Sequence, residues 1–272
     1  MKLSKQITDY YDKINKYLHC GYVNWDSLIE RIKKQEKEPN QDFADEQIWT
    51  FLIACGYACA GQDGLNKLCE LLTGDTTLST DKIWIEVLPL SPRHKEGSTH
   101  LDLAIGDVQL RKGTESGIEL ATKNNSWIAF CEMKWYSDIS YSVSHDQHRN
   151  QLIRVIENAL LFEKNKNFAD KIYVNLITPE IFKNVDNKSR LYYYKFDEYK
   201  NPNNILKDIK NCKLDYRKTN FEKQITKQLD TLNIRWIMFD LLFKSLPDSE
   251  ISRDILEFER KYNSAKFNKK TT

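Results

Sequence analysis

Residues 126–138 read SWIAFCEMKWYSD. Alternation along this run places Ala129, Cys131, Met133 and Trp135 on one side, and Ile128, Phe130, Glu132 and Lys134 on the other. Both sides are mostly apolar, which predicts a central strand covered on two faces. Two opposite charges nevertheless stand in its second half. An unpaired buried charge costs several kcal/mol, so Glu132 and Lys134 form either a structural salt bridge or part of a functional site.

Working outward, the period changes along the chain. Before the strands, apolar periodicity predicts helices over Ile7–Leu18, over Trp25–Ile32 behind Asn24 as N-cap, and over Phe43–Cys59. A shorter helix over Leu65–Leu72 ends at Gly74. KIWIEVLPL (82–90) and THLDLAIGD (99–107) alternate as strands, and the polar stretch LRKGTESGIELATKNN (110–125) separates them from the opening strand. HDQHRNQLIRVIENALLFEKN (145–165) is an amphipathic helix and KIYVNLITP (171–179) an apolar strand. Strand, crossover helix and strand require a parallel pair, so the sheet is expected to be mixed. Further on, RLYYYKFDEY (190–199) reads as an edge strand and residues 219–232 as a helix. NIRWIMFDLLF (233–243) reads as a strand turning into a helix, and a last helix spans Ser249–Tyr262 before a frayed tail.

The 272 residues, 40% of them apolar, suffice for one large core, organised as an N-terminal helical region (1–75), a core (76–180) and a C-terminal extension (181–272). Lysine and arginine (41) nearly balance aspartate and glutamate (39), so any basic surface for nucleic acid must be local. The N-terminus lacks the apolar region of a signal peptide and no run is long enough to span a bilayer. A cytoplasmic protein without membrane contact is expected. The six cysteines show no CxxC spacing and read as reduced core residues. No GxxxxGK[ST] sequence is present, so ATP-driven targeting would need a partner.

Glu-x-Lys also occurs at Glu198–Lys200 and Glu259–Lys261, in polar or solvated surroundings; only Glu132–Lys134 lies in a strong strand. Asp102 is a second acid in an apolar strand, among Leu101, Leu103 and Ile105. If the strands at 99 and 134 are neighbours, Asp102 and Glu132 converge, and their repulsion is relieved by a cation between them. Hard oxygen donors suit Mg²⁺ or Mn²⁺. Lys134, on the same side, is placed to orient the attacking water and offset charge developing on a phosphate.

Asp102, a connection of roughly 30 residues, and then Glu132-Met133-Lys134 resemble the PD-(D/E)xK nuclease superfamily. The resemblance covers about residues 43–178, although His100 and Leu101 stand where the motif's proline would precede Asp102. It implies an α/β fold with a restriction-endonuclease-like αβββαβ core and a mixed central sheet, plus N- and C-terminal helical additions. It also implies a metal held by Asp102 and Glu132, catalysis by Lys134, and DNA as partner. Gln151, in the polar stripe Gln147, Gln151, Arg154 and Asn158, resembles a glutamine that in many members supports the site or meets the nucleic acid backbone. A solvated face is the alternative for that stripe. Glu46 is the first choice, as a further metal ligand, for the acid that members often carry on the helix before the first strand, with Asp42, Asp45 and Glu86 as competitors.

SPRHKEGSTH (91–100) offers Arg93 and Lys95 as phosphate grips, with a solvated hairpin loop as the alternative, and Arg154 on the helix is a third candidate. His145 and His148 have metal-like spacing but lack companion ligands, so zinc is not expected. The expected activity is Mg²⁺-dependent endodeoxyribonuclease, in a setting of restriction, phage defence or mobile elements. A homodimer, or a partner protein supplying recognition or ATPase activity, fits the same resemblance. The alternatives are the same chemistry on RNA or repair intermediates, and a non-catalytic nucleic-acid-binding or protein-interaction module.

Overall fold

The computed structural model describes residues 2–40, 43–121, 124–140, 149–183 and 190–263. The N-terminal region runs α1 (Leu3–Asp9), α2 (Tyr11–Asn15), β1 (Leu18–Cys20), α3 (Trp25–Lys37), α4 (Glu46–Cys59) and α5 (Gln62–Thr73). It is followed by β2 (Ile83–Pro89), β3 (Leu101–Gly106), β4 (Val108–Leu110), β5 (Gly117–Leu120) and β6 (Trp127–Met133). After these come α6 (Gln151–Leu160), the small hairpin β7 (Glu163–Lys164) and β8 (Asn167–Phe168), and β9 (Lys171–Thr178). The chain continues through α7 (Leu191–Glu198), α8 (Pro202–Asn211), α9 (Phe221–Gln228), β10 (Leu232–Met238), α10 (Phe239–Lys244) and α11 (Glu250–Tyr262).

The fold is α/β around one mixed eight-stranded sheet, ordered β10-β9-β6-β3-β2-β5-β4, with β1 also joined to β2. β6 and β9 pair in parallel on either side of α6 in the chain, and β9 pairs in parallel with β10. β2, β3 and β6 form antiparallel neighbours. The alternation in β6 resolves into two cores. Trp127, Ala129, Cys131, Met133 and Trp135 face the cluster built with α1, α3–α5, α10 and α11, whereas Ile128 and Phe130 face the one built with α6–α9. All seven β6 residues are buried. Helix α4, apolar on every side and buried from Ile48 to Cys59, is a core helix rather than an amphipathic one.

The N-caps follow local chemistry. Asn24 accepts the N–H groups of Asp26 and Ser27, and Asn150 accepts that of Ile153. Gly74 ends α5 with the left-handed φ of 76° that favours glycine.

Several expectations need correction. The segment from Ile7 to Leu18 is two short helices broken at Tyr10, and its end turns into β1, so residues before 75 supply a strand to the sheet. The strand expected within residues 233–243 forms as β10 and joins the sheet beside β9. The polar stretch after 107 contains the β4–β5 hairpin. RLYYYKFDEY forms helix α7, with Tyr192 buried, rather than an edge strand. Asp42, His145, Gln147, His148 and the tail from 264 lie outside the described residues. Among the described residues no helix is long and apolar enough to cross a membrane.

Candidate active site

The pairing of β2, β3 and β6 sets three acids in one cross-strand row. Leu103 lies opposite Cys131 on one side and Ile85 on the other. One step along, Asp102 stands between Glu132 and Glu86. Cross-strand neighbours in register share a side of the sheet, which brings Asp102 beside Glu132, but strict alternation fails here: Ile85 and Leu103 face one core while Val87 and Leu101 face the other. Glu86 departs from strand geometry with a φ of 51°, a left-handed backbone that costs about 1–3 kcal/mol outside glycine and is concentrated at functional sites.

Helix α4 adds a fourth acid from below. Glu46, Trp49 and Thr50 lie on one helix face, at spacings of three and four. Trp49 stacks on Trp135 with ring centroids 4.7 Å apart, and the Thr50 hydroxyl lies 3.1 Å from the Met133 sulfur. This packing brings Glu46 to the end of β6. There its Oε2 accepts the Trp135 N–H at 2.8 Å and the Ser137 hydroxyl at 2.9 Å, while its Oε1 lies 3.1 Å from Lys134 Nζ. Among its competitors, Asp45 is the N-cap of α4 and pairs with Arg31, and so is directed elsewhere.

Lys134 Nζ is 2.7 Å from Glu132 Oε1. Glu132 is fully buried, and its second carboxylate oxygen, Oε2, has no hydrogen-bond partner among the described residues. Asp102 Oδ2 accepts the Met133 N–H at 2.6 Å. The electrostatics follow from one cation among four acids. Burial, and next the Glu132 carboxylate, push Asp102 well above the usual carboxylate range against the pull of Lys134. Burial also raises Glu132, with Lys134 opposing, and raises Glu86. Burial disfavours the Lys134 ammonium, but Glu132, Asp102 and Glu46 outweigh it and hold the lysine protonated.

Gln151, at the start of α6, is tied to the chain leaving β6. Its Oε1 accepts the Ser140 N–H at 3.3 Å and its own N–H donates to Ser140 O at 3.1 Å. The described rest of its stripe, Arg154 and Asn158, is not a solvated face. Asn158 is buried and donates to Thr99 Oγ1 at 3.1 Å, and Arg154 donates to Ser98 O at 3.2 Å, so α6 clamps the segment leading into Asp102.

Two of the three expected phosphate grips are engaged elsewhere. Arg93 is buried against Glu157, reached at 2.7 Å, and donates to Leu214 O, Ile209 O and the Tyr216 hydroxyl. Arg149 bridges the same Glu157 to Glu96. A guanidinium so fully paired holds the loop to α6 and the C-terminal region, and has no donors to spare for a phosphate. Arg154 is spent on Ser98 O and on Glu96, whose carboxylate is 3.5 Å from its Nε. Lys95 alone of the three is exposed. The Arg93–Glu157 pairing had no sequence signal, because it spans 64 residues of chain.

Among the described residues, no set of three or more His, Cys, Asp or Glu side chains is gathered as a ready-made metal cage. Compared with known proteins, the chain matches no family model, no curated protein and no solved structure.

Proposed function

We propose that this protein is a divalent-metal-dependent nuclease of the PD-(D/E)xK kind, hydrolysing phosphodiester bonds of nucleic acid and acting most naturally on DNA. The observation that carries the reading is Glu132: a fully buried carboxylate whose Oε2 has no partner among the described residues, beside Asp102 in the row and 2.7 Å from Lys134. A buried carboxylate oxygen without a donor is costly, and a cation at that point removes the cost. The donor set is all carboxylate oxygen, which suits Mg²⁺ or Mn²⁺ over softer metals. Such ions need few protein ligands, since water and substrate phosphate complete their shell, so a preformed cage is not required.

Supporting the restriction-endonuclease-like core is the order of the central elements: antiparallel β2, β3 and β6, then α6, then β9 parallel to β6.

In this reading Asp102 and Glu132 hold the metal. When bound, the ion supplies Lewis-acid charge at the scissile phosphate and acidifies water. The Met133 N–H fixes Asp102, and Glu46 with Glu132 aims the Lys134 ammonium. Being held protonated, Lys134 offsets anionic charge and orients water rather than removing a proton. Glu46 positions the lysine in the metal-free arrangement.

A second reading, a structural salt bridge, is favoured by the two carboxylates on Lys134. The deciding assay is incubation of purified protein with plasmid, linear duplex, single-stranded DNA and RNA, each with Mg²⁺, Mn²⁺ or EDTA. Metal-dependent cleavage of any substrate supports the nuclease. Metal-independent binding without cleavage returns the non-catalytic alternative.

A further inference from the structure

Tyr22 is the most exposed large hydrophobic side chain among the described residues, at 70%. It does not sit on a free loop tip. The chain after β1 continues along β2, with Gly21 N–H donating to Ile85 O at 2.9 Å and Tyr22 N–H to Glu86 O at 2.7 Å. The approach is so close that a Cβ on Gly21 would lie 2.5 Å from Glu86 O, which only glycine avoids. The Tyr22 ring meets His100 edge-to-face at 4.9 Å, and His100 Nδ1 lies 3.9 Å from Glu86 Oε2. A left-handed Glu86, a glycine with no room for a side chain and a histidine thus hold one aromatic ring in solvent, at the edge of the acidic row.

We infer that Tyr22, flanked by His100, is a stacking platform for an unpaired nucleobase next to the scissile phosphate, so that the preferred substrate is a single strand or an unpaired end rather than continuous duplex. This rests on the nuclease reading above. Every base offers a π-face, but in intact duplex both faces are covered by neighbouring pairs, so a fixed exposed ring serves unpaired nucleotides. The charge distribution points the same way. The row is acidic, and the two arginines expected to grip a phosphate backbone, Arg93 and Arg154, are engaged in internal pairs. Affinity must then come largely from contacts that do not depend on salt.

The test is fluorescence anisotropy with labelled single-stranded DNA, its RNA counterpart and a closed hairpin duplex. It is run in Ca²⁺ with probe integrity checked on gels, for wild type, Tyr22→Ala, Tyr22→Phe and Tyr194→Ala. Tyr194 is another exposed tyrosine, on α7. Wild type is expected to bind a single strand more tightly than duplex. Tyr22→Ala should weaken single-strand binding by about five- to a hundred-fold, the equivalent of one lost base stack, without changing the slope against salt. Phenylalanine should restore it, and Tyr194→Ala should match wild type. Equal binding of duplex and single strand, or no effect of Tyr22→Ala, overturns the platform while leaving metal-dependent cleavage standing. Absence of nucleic-acid binding, together with melting temperatures that ignore metal, overturns the nuclease reading and the platform with it.

Discussion

Asp102 Oδ2 accepts the backbone N–H of Met133 at 2.6 Å, so the acid of one strand is bonded to the residue between Glu132 and Lys134 of the next. The Asp-to-Glu-x-Lys connection spans the β4–β5 hairpin, yet its two ends are locked together by the sheet itself. Loop changes between them need not disturb the site, whereas a shift of register would separate the acids.

Cleavage should depend on that locked unit. Glu132→Ala and Lys134→Ala are each expected to lower metal-dependent cleavage by about a hundredfold or more, in the range of a lost electrostatic stabiliser. Glu198→Ala and Lys261→Ala, which come from the other two Glu-x-Lys pairs and are themselves exposed, should cleave near the wild-type rate. Initial rates on the substrate that wild type cleaves fastest measure this, and equal loss in all four would remove the site from Glu132 and Lys134.

The loop carrying Arg93 should behave as structure. Arg93→Ala leaves Glu157 buried with fewer donors, at a cost of about 3–5 kcal/mol in urea unfolding. Lys95→Ala, at an exposed position, should stay within about 0.5 kcal/mol of wild type. A stable Arg93→Ala protein with weakened nucleic-acid affinity would instead restore Arg93 to a phosphate-binding role.

The chain's sequence revealed what depends on short-range periodicity. The two faces of β6, the strand around Asp102, the caps at Asn24 and Gly74, and the strand-to-helix turn at Met238 all follow from neighbours within a few residues. It concealed what depends on distant partners. β1 is three residues long and includes His19, so no alternation marks it; it becomes a strand only because β2 offers an open edge. Tyr192 and Tyr193 of α7 carry high strand propensity, and their packing against Trp236 of β10 overrides it. The Glu86 backbone and the Tyr22 perch arise where β1 and β2 meet, and Arg93 looked like a free cation until Glu157 was beside it.

Acid should stabilise the metal-free protein through this site. Asp102 and Glu132 keep their protons to higher pH in the folded state than in the unfolded chain, where such groups titrate near 3.9 and 4.3. Above that range the folded state binds more protons, so this contribution is present at low pH and is lost as pH rises through the folded values. In EDTA, the melting temperature of wild type relative to Asp102→Asn should therefore fall as the pH rises above about 4. A difference that stays flat over that rise would mean that Asp102 is not raised.

Metal binding and a structural salt bridge give opposite melting behaviour. If Asp102 and Glu132 are metal ligands, Mn²⁺ or Mg²⁺ relieves their repulsion and raises the wild-type melting temperature by mass action. Asp102→Asn can still accept the Met133 N–H, so it should melt at or above wild type without metal, and it should respond weakly to the ion. Lys134→Ala removes the cation but no ligand, so it should still respond, and more steeply, because two acids are then left without their ammonium. If the cluster is only a bridge, metal changes none of the three proteins. Lys134→Ala then loses roughly 3–5 kcal/mol from the uncompensated burial of Glu132. Lys134→Ala is destabilised in either case, so its melting temperature alone decides nothing. The deciding quantity is the shift on adding Mn²⁺: large in wild type and Lys134→Ala but small in Asp102→Asn identifies the metal site, and zero throughout sinks it.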